Sequence, residues 1–341
     1  MTDITTSFAP RGLLRNPHLQ GVLSRLPPRR ARIETAAEAL RQHGRPLLLH
    51  GGAAQLLGWL SQHPAAANTP RPLVILLHGW EGSSDSLYLL ATASQAFQAG
   101  FDVLRLNLRD HGDSHHLNPE LFHSCRDEEV ALAIADAVAR LRPASFALAG
   151  FSLGGNFAMR VSLRLAALSA SAQSASTLSP LRTVVAVCPV ISPAATLQAL
   201  ETGPLLYRAY FLRKWKESLY RKAAVYPGQF PNPHWQRISS LTELTAHFVE
   251  HHTEYPSLLD YLNGYAMTAA KLAALPVNTH VIVAADDPVI PVADWLAVAK
   301  PPQLTLEVTP HGGHCGFVSN WALDGWSERR VTQLLAHALA G

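Results

Sequence analysis

Short apolar runs alternate with stretches of helical length through most of this 341-residue chain, and that alternation limits the folds open to it. LVILL (73–77), FDVLRLNL (101–108), SFALA (145–149), TVVAVCP (183–189), THVIVAA (279–285) and LTLEV (304–308) read as strands. LVILL and TVVAVCP have the unbroken apolar character of strands buried on both faces. Helices are predicted over 85–99, with Ser83, Ser84 or Asp85 as N-cap, and over 128–141, ending before Pro143. Further helices are predicted over 153–168, 292–299 and 326–340. Repeated strand–helix units of this kind build a mainly parallel sheet with helices on both faces.

The alternation pauses from about 190 to 275, roughly 85 residues, which is too long for a bare loop and must carry structure of its own. Upstream, 46–50 and 55–60 flank Gly51-Gly52 and read as a β-hairpin. Residues 1–45, with four prolines, read as irregular, and the cluster Arg25, Arg29, Arg30 and Arg32 as a solvated surface. Stretches 62–72 and 169–180 read as exposed connections. The expected organisation is an N-terminal extension and first hairpin (1–72), the first part of an α/β core (73–189), a helical insertion (190–275) and the rest of the core (276–341).

Composition excludes several classes. With 48% hydrophobic and 16% charged residues the chain is not disordered. Twenty-eight Lys and Arg against 25 Asp and Glu is too even a balance to argue for nucleic acid. Cys125, Cys188 and Cys315 are far apart, odd in number and without a CxxC, which argues against a disulfide framework or a structural zinc site. The N-terminal stretch lacks an apolar signal-peptide region, and no apolar run approaches the ~20 residues of a membrane helix, so a cytoplasmic location is expected.

Chemistry concentrates at the ends of the strands. Gly150-Phe151-Ser152-Leu153-Gly154 is a G-x-S-x-G pentapeptide with a strand leading in and a helix leading out. Such a turn strains the serine and lifts its Oγ above the sheet edge, with a helix N-terminus beneath the reacting carbonyl. A serine needs a base, and the base an orienting carboxylate, in the chain order Ser…Asp/Glu…His. His314 in HGGHCGF is favoured as base over His311 in the same loop. Asp287 in VIVAADDPVIP is favoured as acid by its spacing to Pro291, leaving Asp286 a turn or supporting residue. The Trp80 and Leu153 backbone N–H groups are the candidate oxyanion donors, and His78 is expected to bond within its own loop. His111, His115, His116 and His123 sit on a loop, where spacing fixes no metal geometry.

HGWEGSSDS, NLRDHGDSHHLNPELFHS, GFSLGGN, ADDPVIP and HGGHCGF, with RNPHLQ at 15–20, resemble the YheT-like branch of the α/β-hydrolase superfamily, which includes the mammalian abhydrolase-domain esterases and phospholipases. The resemblance runs from about residue 11 to 330. It implies an α/β-hydrolase fold with a helical cap and a serine carboxylic-ester hydrolase using Ser152, Asp287 and His314 without metal or organic cofactor. The implied substrates are short- to medium-chain acyl esters, monoacylglycerols among them. The membrane anchor of the eukaryotic members has no counterpart here, so phospholipase action at a bilayer is not the expectation. An acyltransferase with the same triad and a non-catalytic lipid or ligand carrier are the alternatives.

Within the insertion, Tyr207, Tyr210, Phe211, Trp215 and Leu219 recur at helical spacing among six cations, Arg208, Arg213, Lys214, Lys216, Arg221 and Lys222. A cap helix over Ser152 with a solvated basic face is expected, with peripheral contact to an anionic lipid surface as the sharper alternative. Tyr207, Phe211, Trp215, Phe230 and Trp235 are the candidate lining of an acyl pocket.

Overall fold

Apolar strand segments are stable only where both faces are covered, and here they form the middle of one eight-stranded sheet. The computed structural model describes residues 8–64, 70–171, 179–230 and 234–340. In chain order the strands are β1 (Gly44–Gly51), β2 (Ala54–Ser61), β3 (Leu73–Leu77), β4 (Asp102–Leu106), β5 (Phe146–Phe151), β6 (Leu181–Val187), β7 (Asn278–Ala284) and β8 (Leu304–Thr309). They lie in the order β1-β2-β4-β3-β5-β6-β7-β8. The hairpin β1–β2 is antiparallel and β2 meets β4 antiparallel; every other pairing is parallel. All residues of β3 and β5 are buried.

The N-terminal region is helical rather than irregular. A 3-10 turn (Gly12–Arg15) leads into α1 (Pro17–Leu23), α2 (Pro27–Ala36) and α3 (Glu38–Gln42). The prolines that suggest irregular backbone stand in the first turns of α1 and α2, where a missing N–H costs nothing. Asn16 caps α1 by accepting from the His18 and Leu19 N–H groups.

α4 (Leu87–Gln98) begins two residues later than expected, after Ser86, whose hydroxyl accepts from the Ser83 N–H instead of capping the helix. α5 (Asp127–Leu141) and α6 (Leu153–Ser171) follow. The interruption is helical: α7 (Pro193–Thr202), α8 (Leu205–Val225), a 3-10 turn (His234–Arg237), α9 (Leu241–His252), α10 (Leu258–Gly264) and α11 (Ala269–Ala273). α12 (Val292–Ala297) and α13 (Trp326–Leu339) complete the chain. Residues 65–69 and 172–178 of the two predicted connections lie outside the described residues. No described helix is long and apolar enough to cross a membrane.

One sheet face packs Leu104, Leu148, Val184 and Val281 against Ile134 of α5 and Phe157 of α6. The other packs Val74, Val185 and Ile282 against Leu90 of α4 and Leu335 of α13. β3 and β5 are neighbours, and the crossover after β3 runs to β4 on one side while that after β5 runs to β6 on the other. A crevice opens at such a switch point beyond the C-terminal ends of the strands. The loops after β3 and β5 meet there.

Candidate active site

The turn from β5 into α6 holds Ser152 at φ 54°, a left-handed conformation that a serine adopts only under constraint. Two glycines make the turn possible. A Cβ on Gly150 would run into the Gly154 carbonyl, and one on Gly154 into the Leu77 and His78 carbonyls. The Ser152 N–H donates to the Val187 carbonyl at 2.8 Å, which pins the turn to β6.

His314 comes from the loop after β8, with its Nε2 3.0 Å from Ser152 Oγ. Its Nδ1 is 2.9 Å from Asp287 Oδ2 and 3.2 Å from Oδ1. Asp287, from the loop after β7, is itself fixed: its Oδ1 accepts the Val289 and Ile290 N–H groups at 2.8 and 3.0 Å. Burial pulls the His314 pKa down, but the Asp287 carboxylate outweighs it and the imidazole is raised to about 9. Asp286 points elsewhere. It accepts the Gly313 N–H at 2.9 Å and lies 3.4 Å from His311 Nδ1, so this second Asp–His pair braces the loop while the first faces the serine.

Among the described residues, the Trp80 and Leu153 N–H groups donate to no protein acceptor. The neighbouring Gly79 N–H is taken by the Tyr88 hydroxyl at 2.9 Å. His78 serves its loop: Nε2 accepts the Leu108 N–H at 3.1 Å and Nδ1 faces the Gly79 carbonyl at 2.8 Å. Burial lowers its pKa to about 4, which keeps it neutral.

The histidines of the loop after β4 point to different partners. His111 Nδ1 is 2.7 Å from the Arg109 carbonyl, His115 Nε2 is 3.0 Å from Ser218 Oγ, and His123 faces Glu254 at 3.7 Å. Asp110, at φ 58°, receives Lys222 of α8 at 2.6 Å on Oδ1 and the Phe122 N–H at 2.8 Å on Oδ2. Lys222 also donates to the His115 and Asn118 carbonyls and is wholly buried. The basic side of α8 is therefore partly structural, and not a uniformly solvated face.

Ser152 lies where two cavities meet. The larger, about 330 Å³, is the more polar of the two and takes in Arg25, Glu81, Tyr88, Lys214, His314 and Cys315. Burial raises the Glu81 carboxyl to about 8, so near neutral pH it carries little negative charge. The smaller, about 90 Å³, is apolar and includes Leu153, Leu200, Phe211, Trp215, Phe248 and Val289. Of the five residues expected to line an acyl pocket, Phe211 and Trp215 border this cavity. Tyr207, Phe230 and Trp235 line neither cavity: Tyr207 bonds to His18 at 3.0 Å, and Phe230 and Trp235 pack on each other and on His252.

Arg25 is exposed, as expected of its cluster, and it also borders the cavity that holds Ser152; of the four arginines only Arg29 is buried, in an ion pair with Glu328. The closeness of Arg25 to RNPHLQ was the one available signal of its place at the cavity. The fold also brings together two cysteines that the sequence holds far apart. Cys188 follows β6, Cys315 follows His314, and both have left-handed backbone, at φ 45° and 56°.

A family model described as the Alpha/beta hydrolase family matches residues 74–323. The chain is 28% identical to "Putative esterase YheT" of Escherichia coli (strain K12), over 97% of this chain and 93% of that protein. It is 27% identical to "Putative esterase slr0264" of Synechocystis sp., over 77% and 74%. It is 22% identical to "Phospholipase ABHD3" of Homo sapiens, over 79% and 64%. Among solved structures, the esterase Pf2001 of Pyrococcus furiosus has the same fold with a TM-score of 0.53, at 16% identity over 87% of this chain and 93% of that one. A 2,6-dihydroxy-pseudo-oxynicotine hydrolase does so with a TM-score of 0.57, at 14% identity over 91% and 73%.

Proposed function

The chain belongs to the alpha/beta hydrolase family, in its YheT-like branch, and from that premise we propose that it is a serine carboxylic-ester hydrolase working through an acyl-enzyme on esters with a short acyl chain. The observation that carries this reading is the continuous line Ser152–His314–Asp287, with hydrogen-bond distances of 3.0 and 2.9 Å, above a strained serine turn. The esterase names of two relatives, matched over 93% and 74% of their own lengths, support the reaction class.

Ser152 Oγ attacks the ester carbonyl as His314 Nε2 takes its proton. Asp287 holds the ring so that Nε2 faces the serine, and stabilises the imidazolium. The carbonyl oxygen, now negative, accepts from the Trp80 and Leu153 N–H groups; one such donor is worth ~3 kcal/mol in the transition state. The tetrahedral adduct collapses, His314 returns the proton to the departing alcohol, and the acyl group stays on Ser152. Water, deprotonated by His314, then repeats the sequence and releases the acid.

The two cavities divide the substrate. The apolar side receives the acyl chain, and its 90 Å³ is well below the ~300 Å³ at the small end of ligand pockets, which favours short chains. The polar side receives the alcohol. Arg25 forms no carboxylate pair among the described residues, and its guanidinium lies 5.0 Å from the Tyr210 ring centroid. An alcohol portion bearing an anionic group fits that surface.

The test is hydrolysis of p-nitrophenyl esters from acetyl to palmitoyl by the wild-type protein and by Ser152→Ala. The expected result is a short-chain optimum that disappears in the variant. Equal rates in the two proteins would remove Ser152 from the mechanism. Folded protein that is inert and unlabelled by an organophosphorus probe would return the carrier reading.

A further inference from the structure

Cys188 and Cys315 take no part in the reaction above, yet they lie against its base. The two Sγ atoms and a ring nitrogen of His314 are all within 4.8 Å of one another. Zinc bonds of about 2.3 Å to sulfur and 2.0–2.1 Å to nitrogen, set tetrahedrally, hold donors roughly 3.5–3.8 Å apart. The three atoms therefore need to close by only about 1 Å. The thiols hydrogen-bond to each other and face only distant carbonyls, Cys188 Sγ that of Gly313 and Cys315 Sγ that of Val187, each at 3.9 Å.

We propose that Cys188, Cys315 and His314 form an inhibitory site for a soft divalent cation of the zinc type, whose occupancy takes His314 away from Ser152. Two sulfurs and an imidazole select such ions over magnesium or calcium. A metal-bound histidine commonly holds a carboxylate on its other nitrogen, and Asp287 already occupies Nδ1 at 2.9 Å. That leaves Nε2, the nitrogen facing Ser152, for the ion. Entry is from the polar cavity, which His314 and Cys315 line, with the wholly buried Cys188 as the inner ligand. The two thiols lose their protons to solvent as the metal–sulfur bonds form. A dication with two thiolates is then neutral overall, so Arg25 in the same cavity faces no added positive charge. Three protein ligands leave the fourth position to water.

The effect on activity rests on the role given to His314 above, but the binding of metal does not. The full-length protein is titrated with Co²⁺, and thiolate-to-cobalt charge transfer is read in the near-ultraviolet. In parallel, Ser152 labelling by an organophosphorus probe is timed with and without Zn²⁺. One equivalent of cobalt bound through two thiolates is expected, together with labelling slowed by Zn²⁺ and restored by a chelator. Cys188→Ser and Cys315→Ser should each weaken metal binding by about tenfold or more, and Cys188→Ser, which borders neither cavity, should label without metal as the wild type does. Absence of the charge-transfer band overturns the proposal without needing any variant. So does equal Zn²⁺ inhibition of wild type and both variants, because the ion would then be using His314 without the sulfurs. Ser152→Ala should keep the band. If wild-type protein fails to label even without metal, the role of Ser152 falls while the cobalt spectrum still decides the metal site.

Discussion

The indole of Trp80 stacks on the ring of Phe211, with centroids 5.4 Å apart and planes 10° from parallel. Trp215 meets the same indole edge-on at 5.2 Å. The first contact joins the loop that supplies a candidate oxyanion donor to the helix α8 above it. Trp80 and Phe211 both line the polar and the apolar cavity, so the stacked pair is the partition between them.

Removing that partition should change which esters are accepted. Phe211→Ala deletes a half-buried ring without opening the sheet core. The chain-length optimum for p-nitrophenyl esters is expected to move to longer acyl groups, with kcat for the acetyl ester falling as Trp80 loses its support. An unchanged profile would show that the acyl chain does not enter beside Phe211.

The Asp287–His314 pair sets the pH dependence. Asp287 stabilises the protonated imidazole, and in the proposed reaction the neutral imidazole is the base. With the His314 pKa near 9, kcat/KM should climb about tenfold per pH unit below that value and level off above it. Stability has the opposite sign: the contribution of protonated His314 is complete below 6.5 and is lost as pH rises through about 9. Asp287→Asn should move the rising limb to lower pH and reduce kcat by roughly 10⁴-fold with the fold intact. A pH–rate profile with the same midpoint in both proteins would contradict the pairing.

Arg25 offers a test of the alcohol side. A charge-assisted hydrogen bond is worth ~1.5–3 kcal/mol, so Arg25→Gln should cost about tenfold or more in kcat/KM for 4-carboxyphenyl acetate. Phenyl acetate, which lacks the charge, should be affected much less. Equal losses on both esters would mean that Arg25 acts on the site and not on the substrate.

The buried pair Lys222–Asp110 ties α8 to the loop after β4 at 2.6 Å. Lys222→Met leaves Asp110 without its cation and should destabilise the protein by about 3–5 kcal/mol in urea unfolding. Adding Asp110→Asn should recover part of that loss, because the unpaired buried charge is gone. A double variant less stable than the sum of the singles would argue against this account.

Much of this molecule is legible along the chain because its determinants are local. An apolar run has to find cover, a G-x-S-x-G between strand and helix has to turn tightly, and Asp287 and His314 follow their strands at the positions the motif requires. The helical N-terminal region differs from the irregular one expected for a local reason too: proline in a first helical turn looks, in sequence, like proline in a loop. The partners of side chains drawn from distant elements were not legible. No spacing relates Arg25 to Ser152 or Cys188 to Cys315, and nothing local distinguishes Lys222 from the exposed cations on its helix. The crossovers that leave β3 and β5 in opposite directions decide which loop ends converge, and the packing of α8 over them decides which aromatics line a cavity. Strand positions and the tight serine turn are thus written into contiguous stretches of the chain. What surrounds them depends on how the sheet is ordered and covered, because proximity between remote residues arises only when distant elements pack together.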